Sequence, residues 1–185
     1  MRAQTVLVSV GSTRYDALVH AVLRDEFLRS LRGGDGAGAV RVVVQHGAGA
    51  APRVAGARTR VLHGTECVHG TAGGGVEVYA FAYTAALPAF LAEADIVVAH
   101  GGAGTLLDAL RTEPAPRVVV VPNAGLMDDH QQELAHALAA QNCVALGRLD
   151  TLAADVAAAR ARTFRALPPP DAGAVRRVVE SAWGA

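Results

Sequence analysis

This chain has no excess of either charge. Its 17 basic residues are matched by 17 acidic ones, so it offers no general electrostatic grip on nucleic acid or anionic lipid. Cysteine is nearly absent. Cys67 and Cys143 lie far apart, suggest no disulfide framework, and fit a reducing compartment. No apolar run is long. The one inside MRAQTVLVSVGST spans about six residues, too short for a signal-peptide core or a membrane span. A soluble, cytoplasmic chain is therefore expected. Aromatics make up only 4% while Ala and Gly abound, a bias that reads as genome composition rather than chemistry. A length of 185 residues suits one domain, 1–185, and suffices to bury a core.

What is present centres on ADIVVAHGGAGTLLDAL, Ala94 to Leu110. Asp95 to Ala99 is a short, β-branched, apolar run, which reads as a buried strand. It runs into His100 and the loop Gly101-Gly102-Ala103-Gly104, and Thr105 to Arg111 then has helical spacing. A strand turning through glycines into a helix leaves free N–H groups and partial positive charge at the helix start, a natural seat for a diphosphate. Asp108 stands about one turn into that helix, where a carboxylate can accept hydrogen bonds from vicinal sugar hydroxyls.

The rest of the chain repeats the pattern. Thr5 to Val10 reads as a first buried strand, Gly11-Ser12-Thr13 as a tight polar turn, and Tyr15 to Leu31 as a helix. That turn is either a second phosphate contact or an ordinary βα turn. Val40 to Gln45 is a second strand. Residues 47–75, rich in Gly, Ala, Arg and Thr, are expected to be loops with a weak strand signal near Arg60 to His63. His63, Cys67 and His69 fall close together there, but match no standard zinc spacing and lack a fourth ligand, so no metal is expected. Val76 to Phe81 reads as a strand and Thr84 to Glu93 as a helix. Arg117 to Val121 is a buried strand, followed by a loop at Asn123 and a helix from about Asp128 to Ala140. A short strand at Cys143 to Leu146, a helix at Thr151 to Arg162 and a last helix at about 172–183 complete the chain. Strands alternating with helices predict an α/β, Rossmann-like parallel sheet flanked by helices. The loops at Gly11, His100 and Asn123 should then converge beyond the carboxyl ends of the strands.

Gly102-Ala103-Gly104 alone is weak, because the third glycine of a dinucleotide fingerprint is missing. The ordered set VSVGST, AEADIVVAHGGAGTLLDAL, VVVVP and LMDDHQQELA is more specific. It resembles the small catalytic subunit of the two-part UDP-N-acetylglucosamine transferase that adds the second sugar to dolichol-diphosphate-GlcNAc. More distantly it is similar to the C-terminal half of the bacterial lipid-II-forming N-acetylglucosaminyltransferase. The resemblance covers Thr5 to about Gly147 and implies the C-terminal, donor-binding lobe of a GT-B glycosyltransferase.

By that resemblance, Gly11, Ser12 and Thr13 lie near the donor diphosphate, as do His100, Gly101, Gly102, Ala103, Gly104 and Thr105. Asp108, where the family usually has Glu, would hold the ribose hydroxyls with a side chain one methylene shorter. Asn123, Met127, His130, Gln131, Gln132 and Glu133 fall on the donor-sugar segment; paired amides suit neighbouring hydroxyls, offering donors and an acceptor. His130 also has a plain reading as a helix cap or solvent-facing residue, and Asp108 as a solvated helix residue. The implied donor is UDP-GlcNAc and the implied acceptor dolichol-diphosphate-GlcNAc, with no further cofactor. A membrane-anchored partner would supply the acceptor side and recruit the chain to the cytosolic face of the endoplasmic reticulum. No base is identified for the attacking hydroxyl; His100 is the nearest candidate by position. The other reading is a non-catalytic nucleotide-sugar-binding module that regulates a partner.

Overall fold

The structure, a computed structural model, describes residues 2–32, 38–123 and 129–169, with the backbone alone at 129–131. Strand β1 (Gln4–Ser9) leads to α1 (Asp16–Val22) and α2 (Asp25–Ser30), and β2 (Val40–Gln45) follows. Next come β3 (Arg58–Leu62), β4 (Thr65–Ala72), β5 (Val76–Phe81), α3 (Leu87–Glu93), β6 (Ile96–Ala99) and α4 (Ala103–Arg111). The described chain ends with β7 (Arg117–Val120), α5 (Asp129–Ala140), β8 (Ala145–Leu146) and α6 (Leu152–Ala161). The helix expected near 172–183 lies outside the described residues.

One eight-stranded sheet runs in the order β3-β4-β5-β2-β1-β6-β7-β8. The strands from β5 to β8 in that order are all parallel, as expected from the strand–helix alternation. The centres of β1, β2, β6 and β7 are near-continuous Val, Ile and Leu because helices cover both faces. On one face Val6, Val8, Val42, Val44 and Val98 pack under α1, α2 and α6 through Leu18, Val22, Phe27, Leu28 and Val156. On the other, Leu7, Val43, Val97, Val118 and Val120 pack under α3, α4 and α5 through Phe90, Leu91, Leu106 and Leu138.

Two expectations need correction. Residues 58–72 are not loop: β3 and β4 form an antiparallel hairpin that extends the sheet from β5, making it mixed. The polar composition concealed it because β3 is almost wholly exposed and buries no stripe of its own. The helix expected over Tyr15 to Leu31 is also two helices. Arg24 takes an extended conformation (φ −64°, ψ 139°) between them, while the apolar spacing carries on across the break. Among the described residues, no helix is long and apolar enough to cross a membrane.

Candidate functional site

The chain leaves β1 toward α1, on one face of the sheet, and leaves the adjacent parallel strand β6 toward α4, on the other. Such a reversal opens a crevice at the carboxyl ends of the two strands, where doubly wound sheets take ligands. Gly11 and the His100–Gly102 turn occupy those two ends.

The first turn is compact. Gly11 has φ +62°, in the left-handed region that glycine enters without strain. Thr13 closes the turn by donating from its N–H (3.4 Å) and its hydroxyl (2.8 Å) to the Val10 carbonyl. Ser12 is exposed at the tip.

In the second turn Gly101 has φ +104° and Gly102 is the N-cap of α4. Among the described residues, no side chain caps this helix. Its first intrahelical bond runs from Leu106 N–H to the Gly102 carbonyl, so the N–H groups of Ala103, Gly104 and Thr105 have no partner within the helix. Ala103 and Gly104 are exposed, and nothing stands within 4 Å of where a Gly104 Cβ would be. Thr105 is buried. Asp108 is exposed, and its backbone carbonyl accepts the Thr112 hydroxyl at 2.8 Å.

The His100 ring joins the two turns. It is 3% exposed, and its Nδ1 lies 3.4 Å from the Ser9 carbonyl. A Cβ on Gly11 would fall 2.8 Å from the ring's Cε1, and one on Gly102 would fall 2.6 Å from Cε1 and 2.7 Å from Nε2. Both glycines therefore pack closely against the Cε1 side of one imidazole. Burial pushes the His100 pKa below the ordinary histidine value, with the Ser9 carbonyl partly opposing the shift. The neutral ring then donates from Nδ1 to that carbonyl.

A third loop is tied to the first. The Tyr15 hydroxyl donates to the Pro122 carbonyl (3.1 Å), and the Asn123 amide donates to the Arg14 carbonyl (3.4 Å). The loop after β7 thus reaches the loop after β1, and α5 starts from the same rim. Gln132 and Glu133 are exposed on its first turns. Met127 lies outside the described residues, and of His130 and Gln131 only the backbone is described. Among the described residues, a cavity of about 390 Å³ lies between α1 and residues 50–53, away from these loops.

Beneath the rim lies a buried polar pair that no sequence motif announces. The Ser9 hydroxyl, fully buried, donates to Gln45 Oε1 at 2.5 Å and accepts the Gly11 N–H at 3.3 Å. After Gln45, Gly47 sits so close that a Cβ there would meet the Thr13 carbonyl at 2.3 Å and the Gly11 carbonyl at 2.6 Å. Ala48 N–H donates to the Thr13 carbonyl (3.1 Å). One signal was available: Ser9 and Gln45 are polar residues near or at the ends of two otherwise apolar strands.

This arrangement has counterparts in known proteins. A relative in Eremothecium gossypii, UDP-N-acetylglucosamine transferase subunit ALG13, is 36% identical over 186 residues, covering 90% of this chain and 86% of its own. The NMR solution structure of ALG13 superimposes with a TM-score of 0.63 at 22% identity, covering 95% of this chain and 94% of that one. The crystal structure of Acinetobacter baumannii MurG matches with a TM-score of 0.57 at 17% identity, over 87% of this chain but only 42% of that one. The fold is thus that of one lobe of a GT-B glycosyltransferase. Residues 5–162, from β1 through the end of α6, match the model of the glycosyltransferase family 28 C-terminal domain, and the chain belongs to that family.

Proposed function

We propose that this chain is the donor-binding, catalytic subunit of a UDP-GlcNAc-dependent N-acetylglucosaminyltransferase. It adds the second, β-1,4-linked GlcNAc to dolichol-diphosphate-GlcNAc. The observation that carries this reading is the meeting of two glycine turns on His100 at the reversal between β1 and β6. Relatives named as UDP-N-acetylglucosamine transferase subunits over most of their length support the choice of donor.

In this reading the diphosphate lies against the open first turn of α4, at Ala103 and Gly104, and against the Gly11–Thr13 turn. Backbone dipoles there stabilise charge on the departing UDP without an added metal. Asp108 takes the ribose hydroxyls, and Gln131 and Gln132 take hydroxyls of the transferred sugar. His100 is enclosed by the two glycines. That suits a floor for the turns better than a base reaching an acceptor hydroxyl. The base then comes with the acceptor side, on a membrane-anchored partner at the cytosolic face of the endoplasmic reticulum.

The test is co-expression with that partner, followed by transfer from labelled UDP-GlcNAc to a dolichol-diphosphate-GlcNAc analogue. Transfer is expected with both subunits present and to fall sharply in Asp108→Ala. Donor binding without transfer, to any acceptor with any partner, would instead leave a regulatory binding module.

A further inference from the structure

We propose that Gln45 is a positioning residue for the donor diphosphate, acting through Ser9 on both glycine turns at once. The inference rests on the donor-site reading above. Ser9 contacts both turns. Its carbonyl accepts from the His100 backbone N–H (3.3 Å) and faces His100 Nδ1 (3.4 Å). Its hydroxyl accepts the Gly11 N–H at 3.3 Å.

A serine hydroxyl has one proton and can swing it to several acceptors. It serves Gly11 well only when that proton points elsewhere. Gln45 Oε1, 2.5 Å away, takes the proton and leaves a lone pair for Gly11. Gln45 is itself 6% exposed and sits at the last position of β2, paired in register with Ser9. The Val10 N–H donates to its backbone carbonyl at 3.2 Å, which fixes the main chain at Gln45 beside Ser9. Gly47, two residues on, backs the carbonyls of Gly11 and Thr13. The end of β2 therefore buttresses the first turn from beneath.

Removing the acceptor frees the Ser9 proton to compete for other partners, and the Gly11 turn loses its fixed position. Gln45→Met keeps the length and volume of the side chain and deletes the acceptor. Ser9→Ala deletes the hydroxyl with little change of shape. Titration of UDP into the purified full-length chain, well below its melting temperature, reads the effect. Each variant should weaken UDP about tenfold, the size of one spoiled buried hydrogen bond. The double variant should also lose about tenfold, because the two residues act as one unit. Uridine, which lacks the diphosphate, should bind every variant as it binds the unaltered chain. A purely structural role would lower melting without separating UDP from uridine.

Three outcomes overturn the proposal: unchanged UDP affinity in Gln45→Met, a roughly hundredfold loss in the double variant, or equal losses for UDP and uridine. An unaltered, folded chain that binds no UDP overturns the donor-site reading itself, and this proposal with it.

Discussion

At the scale of single residues, the α4 turn holds two glycines with opposite demands. Gly102 has no room for a methyl group, because its Cβ would press on a ring that is itself buried. Gly102→Ala should cost about 1–3 kcal/mol of stability by overpacking. Gly104 faces open space within a helix, where alanine is preferred, so Gly104→Ala should gain a few tenths of a kcal/mol or more. Both changes should weaken UDP. Chemical denaturation combined with UDP titration separates the two, and equal stability losses would contradict the packing described. His100 adds a pH dependence. Unfolded, its imidazole takes up a proton near pH 6.5; folded, it does so only at lower pH. Between those values the unfolded state holds more protons, so stability falls as pH drops below about 6.5. His100→Gln should flatten the decline in melting temperature between about pH 7 and 5 relative to the parent chain. A parallel decline in both would refute it. The glycines and His100 were legible in the sequence because breaks after apolar strands stand out. Ser9 and Gln45 were not, since a buried polar pair leaves no periodic trace and becomes visible only when two strands are laid side by side.

At the scale of elements, the β3–β4 hairpin shows what periodicity cannot report. Leu62 pairs with Thr65 across a two-residue loop, His63 at φ +50° and Gly64 at φ +72°. Both positive angles match a type I′ turn, whose twist suits the flanking strands. The usual Asn-Gly or Asp-Gly signal is replaced here by His-Gly, and β3 offers no alternating apolar face, so neither clue was present. Nothing lies within 4 Å of a Gly64 Cβ, which isolates the backbone cost of a substitution. Gly64→Ala should destabilise by about 1–2 kcal/mol and Gly64→Asn by less, because asparagine tolerates the left-handed region. Urea unfolding would show the order; a neutral Gly64→Ala would mean the turn relaxes to another type. The parallel strands were legible for the converse reason. Burial on both faces demands unbroken Val and Ile, and few other structures produce such short runs between helical segments. The α1–α2 break was hidden because both helices pack on the same face of the sheet, so a single extended residue at Arg24 leaves the apolar spacing intact.

For the whole molecule, the question is how much of a reaction one lobe can perform. In the proposed reading donor binding needs only the rim, where the loops after β1, β6 and β7 are held together by His100, Tyr15 and Asn123. Transfer needs a second surface to bring the acceptor hydroxyl, exclude water and accept a proton. The two should therefore separate experimentally. UDP at about a hundred times its Kd should stabilise the isolated chain by about 2.7 kcal/mol, or roughly 5–10 °C in Tm for a chain of this size. Gly102→Ala should shrink that shift along with the baseline. On the same proposal the isolated chain should transfer almost no GlcNAc, and activity should appear when the proposed membrane-anchored partner is added, with no change in the UDP-induced shift. Full turnover by the chain alone would mean that the acceptor surface lies within it or within a second copy. A missing UDP shift in a folded chain would mean that the glycine turns meet for a structural reason and that the donor is held elsewhere.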